Sequence, residues 1–190
     1  MILHIQFDRE EKYPSSQKEA DRLISEALHV ISVKEIVDGE YVSGGMASFC
    51  YTEPQGRFPS TYLRVSVNEL SGYGALMWSV DGQAPRKGGI YDYTWISDNP
   101  SPPEIDSQLV SDTYYGWCHD PASAVPLSRI RAAIEEYCRL GTGERPEGIN
   151  WVTGEINGQR HDRPPFEEEV DENYSEPNWE TFFDGAPRPE

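Results

Sequence analysis

With 190 residues, the chain has the length of one domain with a sizeable core and leaves little room for a second. Its formal charge of −17, from 33 acidic against 16 basic residues, argues against binding nucleic-acid phosphates or anionic membranes and favours a basic protein partner. A mean hydropathy of −0.66 and 37% hydrophobic residues describe a polar, soluble chain, whose core leans on aromatics, 12% of all residues.

The acidity is uneven: residues 162–190 hold ten acidic and two basic side chains, a net of −8, leaving −9 for residues 1–161. Cys50, Cys118 and Cys138 are odd in number and form no CxxC, which argues against a disulfide framework or a zinc site and suits a reducing cytosol. The first residues turn charged after "MILHIQF", and no apolar run approaches the roughly 20 residues of a membrane span. The expected location is the cytoplasm.

In chain order, "MILHIQF" (1–7) reads as a first strand. "SSQKEADRLISEALHVI" (15–31) reads as a helix with Ser15 or Ser16 as N-cap and Glu19 placed as in a capping box. Its apolar face combines Ala20, Leu23, Ile24, Ala27, Leu28 and Val30. Residues 47–53, 61–67 and 73–80 read as strands, with Leu63, Val65 and Val67 on one face and Arg64 and Ser66 on the other. "VDGQ" (80–83) carries a tight-turn signal, and "GGIYDYTWIS" (88–97) reads as the next strand of an antiparallel meander.

Residues 98–115 are irregular, punctuated by "NPSPP" (99–103). A second helix follows over 125–140, with Pro126 near its start, Gly141 as its stop and Leu127, Ile130, Ile134, Tyr137 and Cys138 on one face. "GINWV" (148–152) is a last strand. Beyond Gly154 the chain is rich in Pro, Glu, Asp and Asn and reads as a mostly disordered acidic tail (154–190), in which Phe166, Tyr174, Trp179, Phe182 and Phe183 could pin parts onto the body. The expected fold class is α+β: one domain over residues 1–153, an antiparallel sheet of five or six strands with two helices on one side.

No nucleophile elbow, P-loop, HExxH or GxGxxG occurs, and the HxE and PCxxC elements of zinc deaminases are absent. Cys118 and His119 are adjacent, so on a strand they point to opposite faces and form no dyad; Cys118 reads as a small core residue and His119 as a loop polar group. His4, His29, His119 and His161 are dispersed in sequence. Glu135–Glu136 and "EEE" (167–169) read as solvated charge. No catalytic residue, cofactor or metal is expected.

The stretch "RLGTGERPEGINW" (139–151) is informative in another way. A helix followed by Thr142-Gly143, Arg145-Pro146 and a hydrophobic strand ending at Trp151 resembles the closing motif of the bacterial family called immunity protein one. A central G-x-x-x-x-W strand of that family has a near match, one residue shorter, in Gly74–Trp78, and Pro121 and Pro126 precede the helix. The likeness covers about residues 20–152; the tail lies outside it. It implies a non-catalytic inhibitor that protects the producing cell from its own polymorphic toxin, of deaminase type or otherwise directed at nucleic acid.

An acidic inhibitor suits a toxin whose substrate site must be basic, and complementary charge raises association rate more than affinity. Exposed Tyr and Trp are the usual interface anchors. The candidate partner-binding residues are therefore Asp92, Trp95, Asp98, Asp112, Tyr114, Tyr115 and Trp117, with Tyr91, Tyr93 and Asn99 nearby. Trp78, Thr142, Gly143, Arg145, Pro146 and Trp151 are expected to be structural, with Trp78 and Trp151 in the core and Arg145 tying the turn to a carbonyl or carboxylate. The competing readings are an acidic adaptor or nucleic-acid mimic working through its tail, and an enzyme whose site carries no familiar motif.

Overall fold

The computed structural model describes residues 1–38, 40–42, 44–56, 58–80 and 94–166. In chain order these form β1 (Ile2–Phe7), β2 (Glu10–Lys12), α1 (Gln17–Ile31), β3 (Ile36–Val37), β4 (Glu40–Tyr41), β5 (Ala47–Thr52), β6 (Pro59–Asn68) and β7 (Tyr73–Val80). Then come β8 (Thr94–Asp98), β9 (Val110–Asp112), β10 (Trp117–Cys118), a single 3-10 turn (Pro121–Ser123), β11 (Val125–Pro126), α2 (Leu127–Leu140) and β12 (Asn150–Gly154).

The main sheet is antiparallel, in the order β12-β8-β7-β6-β5-β1-β2, with β11 also paired to β7. It has eight strands where five or six were expected. The additions, β2 and β11, are three and two residues long, too short to show an alternation in sequence.

Both helices lie on one face of this sheet. In α1, Ser16 Oγ accepts the Glu19 N–H (3.3 Å), and the Glu19 carboxylate accepts from Ser15 N–H (2.8 Å) and Ser15 hydroxyl (2.7 Å). These bonds hold the Glu19 carboxyl below its usual range. The buried stripe is Ala20, Leu23, Ile24, Ala27 and Ile31. Val30, expected on that face, is exposed, and Ile31 takes its place because it lies four residues, about one turn, after Ala27, whereas Val30 falls to the side of the stripe.

α2 buries Ile130, Ala133, Ile134, Tyr137 and Cys138. These meet Ile5, Phe49, Leu63, Val65, Leu76 and Trp78 from the sheet in one contiguous core. The helix sits close on β7 because Gly74 has no side chain: a Cβ there would meet Ile130 Cγ1 at 3.1 Å and Ser66 O at 2.9 Å.

The opposite face is divided. Residues 99–124, irregular apart from the β9–β10 hairpin and the 3-10 turn, lie over the β6–β7–β8 side, where Leu109 and Ala124 pack on Ala75 and Tyr73. Polar ties fix this layer: Asn68 Nδ2 donates to Ser107 O (2.8 Å), Asn99 Nδ2 to Ala124 O (2.6 Å) and Ser97 Oγ to Ser123 O (2.7 Å). The chain does not leave the body at Gly154. It turns at 155–158 and runs back beside β12, with Gly154 bridged to Arg160 and His161 N–H donating to Thr153 O (3.0 Å). The acidic stretch 167–190 lies outside the described residues.

Candidate functional site

Two aromatic groups, on opposite faces of the sheet, contain most of the residues singled out in the sequence. The first surrounds the turn after α2. Gly141 closes the helix with φ 66°, and Gly143 follows with φ 70°. Gly143 approaches β6 so closely that a Cβ would lie 2.5 Å from Thr61 Oγ1, and its carbonyl accepts from the indole of fully buried Trp78 (3.1 Å). Thr142 Oγ1 accepts from Glu144 N–H (3.3 Å). The Glu136 carboxylate accepts from Glu147 N–H (2.8 Å), and Trp151 Nε1 donates to the carbonyl of buried Pro146 (2.9 Å). Arg145 lays its guanidinium over Trp95, 4.1 Å from the ring centroid, and also faces Trp151 at 5.7 Å. Its buried Nη1 has no hydrogen-bond partner among the described residues. Burial lowers the pKa of Arg145.

The second group is the β9–β10 hairpin on the other face. Asp112 Oδ1 accepts the N–H groups of Tyr114 (2.7 Å) and Tyr115 (3.2 Å), and Gly116 makes the turn at φ 69°. Tyr114 is 85% exposed and Tyr115 63%. Their rings meet edge-on at 4.8 Å; Tyr115 stacks on half-buried Trp117 at 4.7 Å, and Trp117 meets Phe166 at 5.2 Å. Four rings thus form a continuous ladder open to solvent at its Tyr114 end.

An open groove adjoins the hairpin on the uncovered side of the sheet, lined by Gln6, Asp8, Met46, Ser48, Arg64 and Asp112 among others. At its rim Asp8 (φ 49°) and Arg9 (φ 62°) turn β1 into β2, both in the left-handed region although neither is glycine. Behind the hairpin, buried Arg160 donates to Asp98 Oδ1 (2.8 Å) and to both oxygens of Asp162 (each 2.9 Å). Burial opposes the charge on Arg160, but the two carboxylates outweigh it and raise its pKa. His119 is buried beside Gly158, with Nδ1 unpartnered among the described residues; burial, then Arg64 and Arg160, push its pKa down to about 3. Burial also pushes the Cys118 thiol up. A neutral imidazole beside a neutral thiol is the reverse of an activated Cys–His pair. Among the described residues no three His, Cys, Asp or Glu side chains are placed to hold a metal ion.

The family model described as Immunity protein Imm1 matches residues 10–153. The chain belongs to the Imm1 family of immunity proteins. No curated protein and no solved structure was found to match it. Membership in Imm1 implies an immunity protein and a cognate toxin as its binding partner. The Imm1 match takes in both aromatic groups up to Thr153 but not residues 154–166, so the Arg160 return and Phe166 lie beyond it. No helix among the described residues is long and apolar enough to cross a membrane.

The structure separates the residues expected together. Asp112, Tyr114, Tyr115 and Trp117 share one hairpin. Trp95 lies on the helix-covered face, packed against the core beneath Arg145, and Asp98 pairs with Arg160. Asn99 is buried and bonded to Ala124. Tyr91, Asp92 and Tyr93 lie outside the described residues. His119, expected as a loop polar group, is buried, because the 155–163 return covers it. Trp78 is fully buried, whereas Trp151 is only partly so, since β12 is an edge strand. Sequence reasoning missed Arg160, whose carboxylate partner Asp98 is 62 residues away, and Arg64, whose Nη1 donates to Ile156 O (3.1 Å).

Proposed function

We infer that this immunity protein neutralises a toxin directed at nucleic acid, of deaminase type or similar, by covering the toxin's basic active site with the face that carries the β9–β10 hairpin. The single observation that carries this reading is the exposed ladder Tyr114–Tyr115–Trp117 on a chain of charge −17. Large aromatic side chains held rigid before binding lose little conformational freedom on docking, and Asp112 supplies that rigidity through two backbone hydrogen bonds. The net charge of −17 favours a partner that is positive where its own substrate binds. The inhibitor performs no chemistry, and its action is in the cytoplasm, where a newly made toxin must be caught.

The test is a toxin-activity assay on the product of the neighbouring gene, with and without equimolar immunity protein. Inhibition at a 1:1 ratio is the expected result. Undiminished toxin activity, with no complex on a sizing column, would overturn the reading.

A further inference from the structure

The β9–β10 hairpin has little pairing of its own. Its strands share two registered pairs, Trp117 with Asp112 and Cys118 with Val110, and a bulge interrupts them. A two-stranded hairpin alone is marginal in water, so the order of this one comes from what packs against it. On one side it is seated on the sheet through Leu109. On the other it meets the returning chain, residues 155–166.

Three contacts join the return to the hairpin. Buried Gly158, at φ 93°, lies so close to β9 that a Cβ would overlap Ser111 Cβ and lie 3.3 Å from His119 Nδ1. Arg163 pairs with Asp120, just past β10 (3.3 Å). The Phe166 ring lies against Trp117, the inner rung on which Tyr115 stacks. Gln159 sets the position of Phe166 with both ends of its amide. Its Oε1 accepts the Phe166 N–H, and its Nε2 donates to Arg160 O (2.8 Å) and Pro164 O (2.8 Å). The return is itself fixed to the sheet, by Arg160 on Asp98 (2.8 Å) and by Arg64 Nη1 on Ile156 O (3.1 Å). Contacts therefore run unbroken from the sheet, through residues 155–166, to the exposed tyrosines.

Taking the hairpin as the toxin-binding surface, as proposed above, we propose that residues 155–166 are a brace that presets the aromatic ladder for the toxin, with Gly158 and Gln159 as its positioning residues. Gly158 is buried and Gln159 uses its amide within the return, so their action runs through the hairpin and not through contact with the partner. They set the fraction of free molecules in which the ladder already has its binding arrangement. A partner that binds that arrangement associates in proportion to the fraction, whereas the complex, once formed, dissociates as before. Loss of a ring that touches the toxin acts instead on dissociation. The brace lies beyond residues 10–153, the stretch matched by the Imm1 family model.

The test compares the parent with Gly158→Ala, which drives a methyl group into β9, and with Gln159→Ala, which frees Phe166. Hydrogen exchange is measured on the free proteins. Association and dissociation rates are measured against the cognate toxin carrying an inactivating substitution. In both variants the His119 amide, which donates to Leu109 O (2.7 Å), exchanges about tenfold faster or more. Association slows about fivefold or more, while dissociation stays within about twofold. A general loss of stability in a protein still folded by circular dichroism would leave both rates unchanged. Tyr114→Ala with Tyr115→Ala gives the opposite split, with faster dissociation.

Exchange at His119 as slow as in the parent overturns the inference, and so does faster exchange with an unchanged association rate. A raised dissociation rate with association untouched would mean direct contact with the toxin, and overturns it too. Should Gly158→Ala not fold, Gln159→Ala alone decides. If the parent does not bind the toxin, the proposed function itself fails and the inference falls with it. A parent that binds, with variants that keep its rates, sinks the inference alone.

Discussion

The protein carries two clusters of aromatic rings, drawn from the same residue types and placed on opposite faces of one sheet. Around the turn after α2, every ring is tied inward: Trp78 to the Gly143 carbonyl, Trp151 to the Pro146 carbonyl, Trp95 beneath the Arg145 guanidinium. On the β9–β10 hairpin the rings tie to one another, and Tyr114 and Tyr115 present their faces to water. The first cluster contains the Thr142–Trp151 stretch on which the resemblance to the family rests. The second has exposed rings on a hairpin already ordered by Asp112. A residue pattern that resembles a family motif and a surface open to solvent are thus separate things in this chain.

Removing a ring from the first cluster has the largest effect. Trp78→Ala costs about 3–5 kcal/mol of stability, through a cavity at the centre of the core and an orphaned Gly143 carbonyl, read by urea denaturation. The next effect is on acid stability. His119 is neutral when folded, with its pKa pushed down to about 3, and an unfolded histidine titrates near 6.5. Its contribution is complete above about pH 6.5 and is lost as pH falls toward 3, at up to about 1.4 kcal/mol per pH unit. The variant His119→Leu flattens this slope in denaturation curves taken across the same pH range.

Arg160→Met comes next, at about 2 kcal/mol, because it strands Asp98 and Asp162, both of which keep some contact with water. The loss concentrates in residues 155–163, and hydrogen exchange there rises first. Arg145→Lys costs about 1 kcal/mol, since an ammonium cannot stack flat on Trp95. The smallest effect is that of Tyr114→Ala, which changes thermal stability by less than about 0.5 kcal/mol because that ring buries so little. A large stability loss at Tyr114 would erase the distinction between the two clusters.

What was legible in the sequence follows the range of the interactions involved. Periodicity exposes α1, α2 and the long strands, because each of those patterns is local: Leu63, Val65 and Val67 do alternate inward, and Ser16 does cap α1. The helix stop at Gly141 is legible for the same reason. The site is only partly legible. Tyr114, Tyr115 and Trp117 fall together because one hairpin holds them, whereas Trp95 packs on the helix-covered face and Asp98 is taken up by Arg160. Whether Asp98 faces a partner or an internal cation depends on Arg160, and no local pattern announces that pairing. The position of Phe166 on Trp117 is equally non-local.

The central claim is that the hairpin, and not the family-marking turn, restrains the toxin. The most direct test is to titrate the cognate toxin's activity with the parent protein and with the Tyr114→Ala, Tyr115→Ala variant, after confirming that both melt alike. The account predicts an inhibition constant raised about tenfold or more in the variant. Equal inhibition by the two proteins would contradict it.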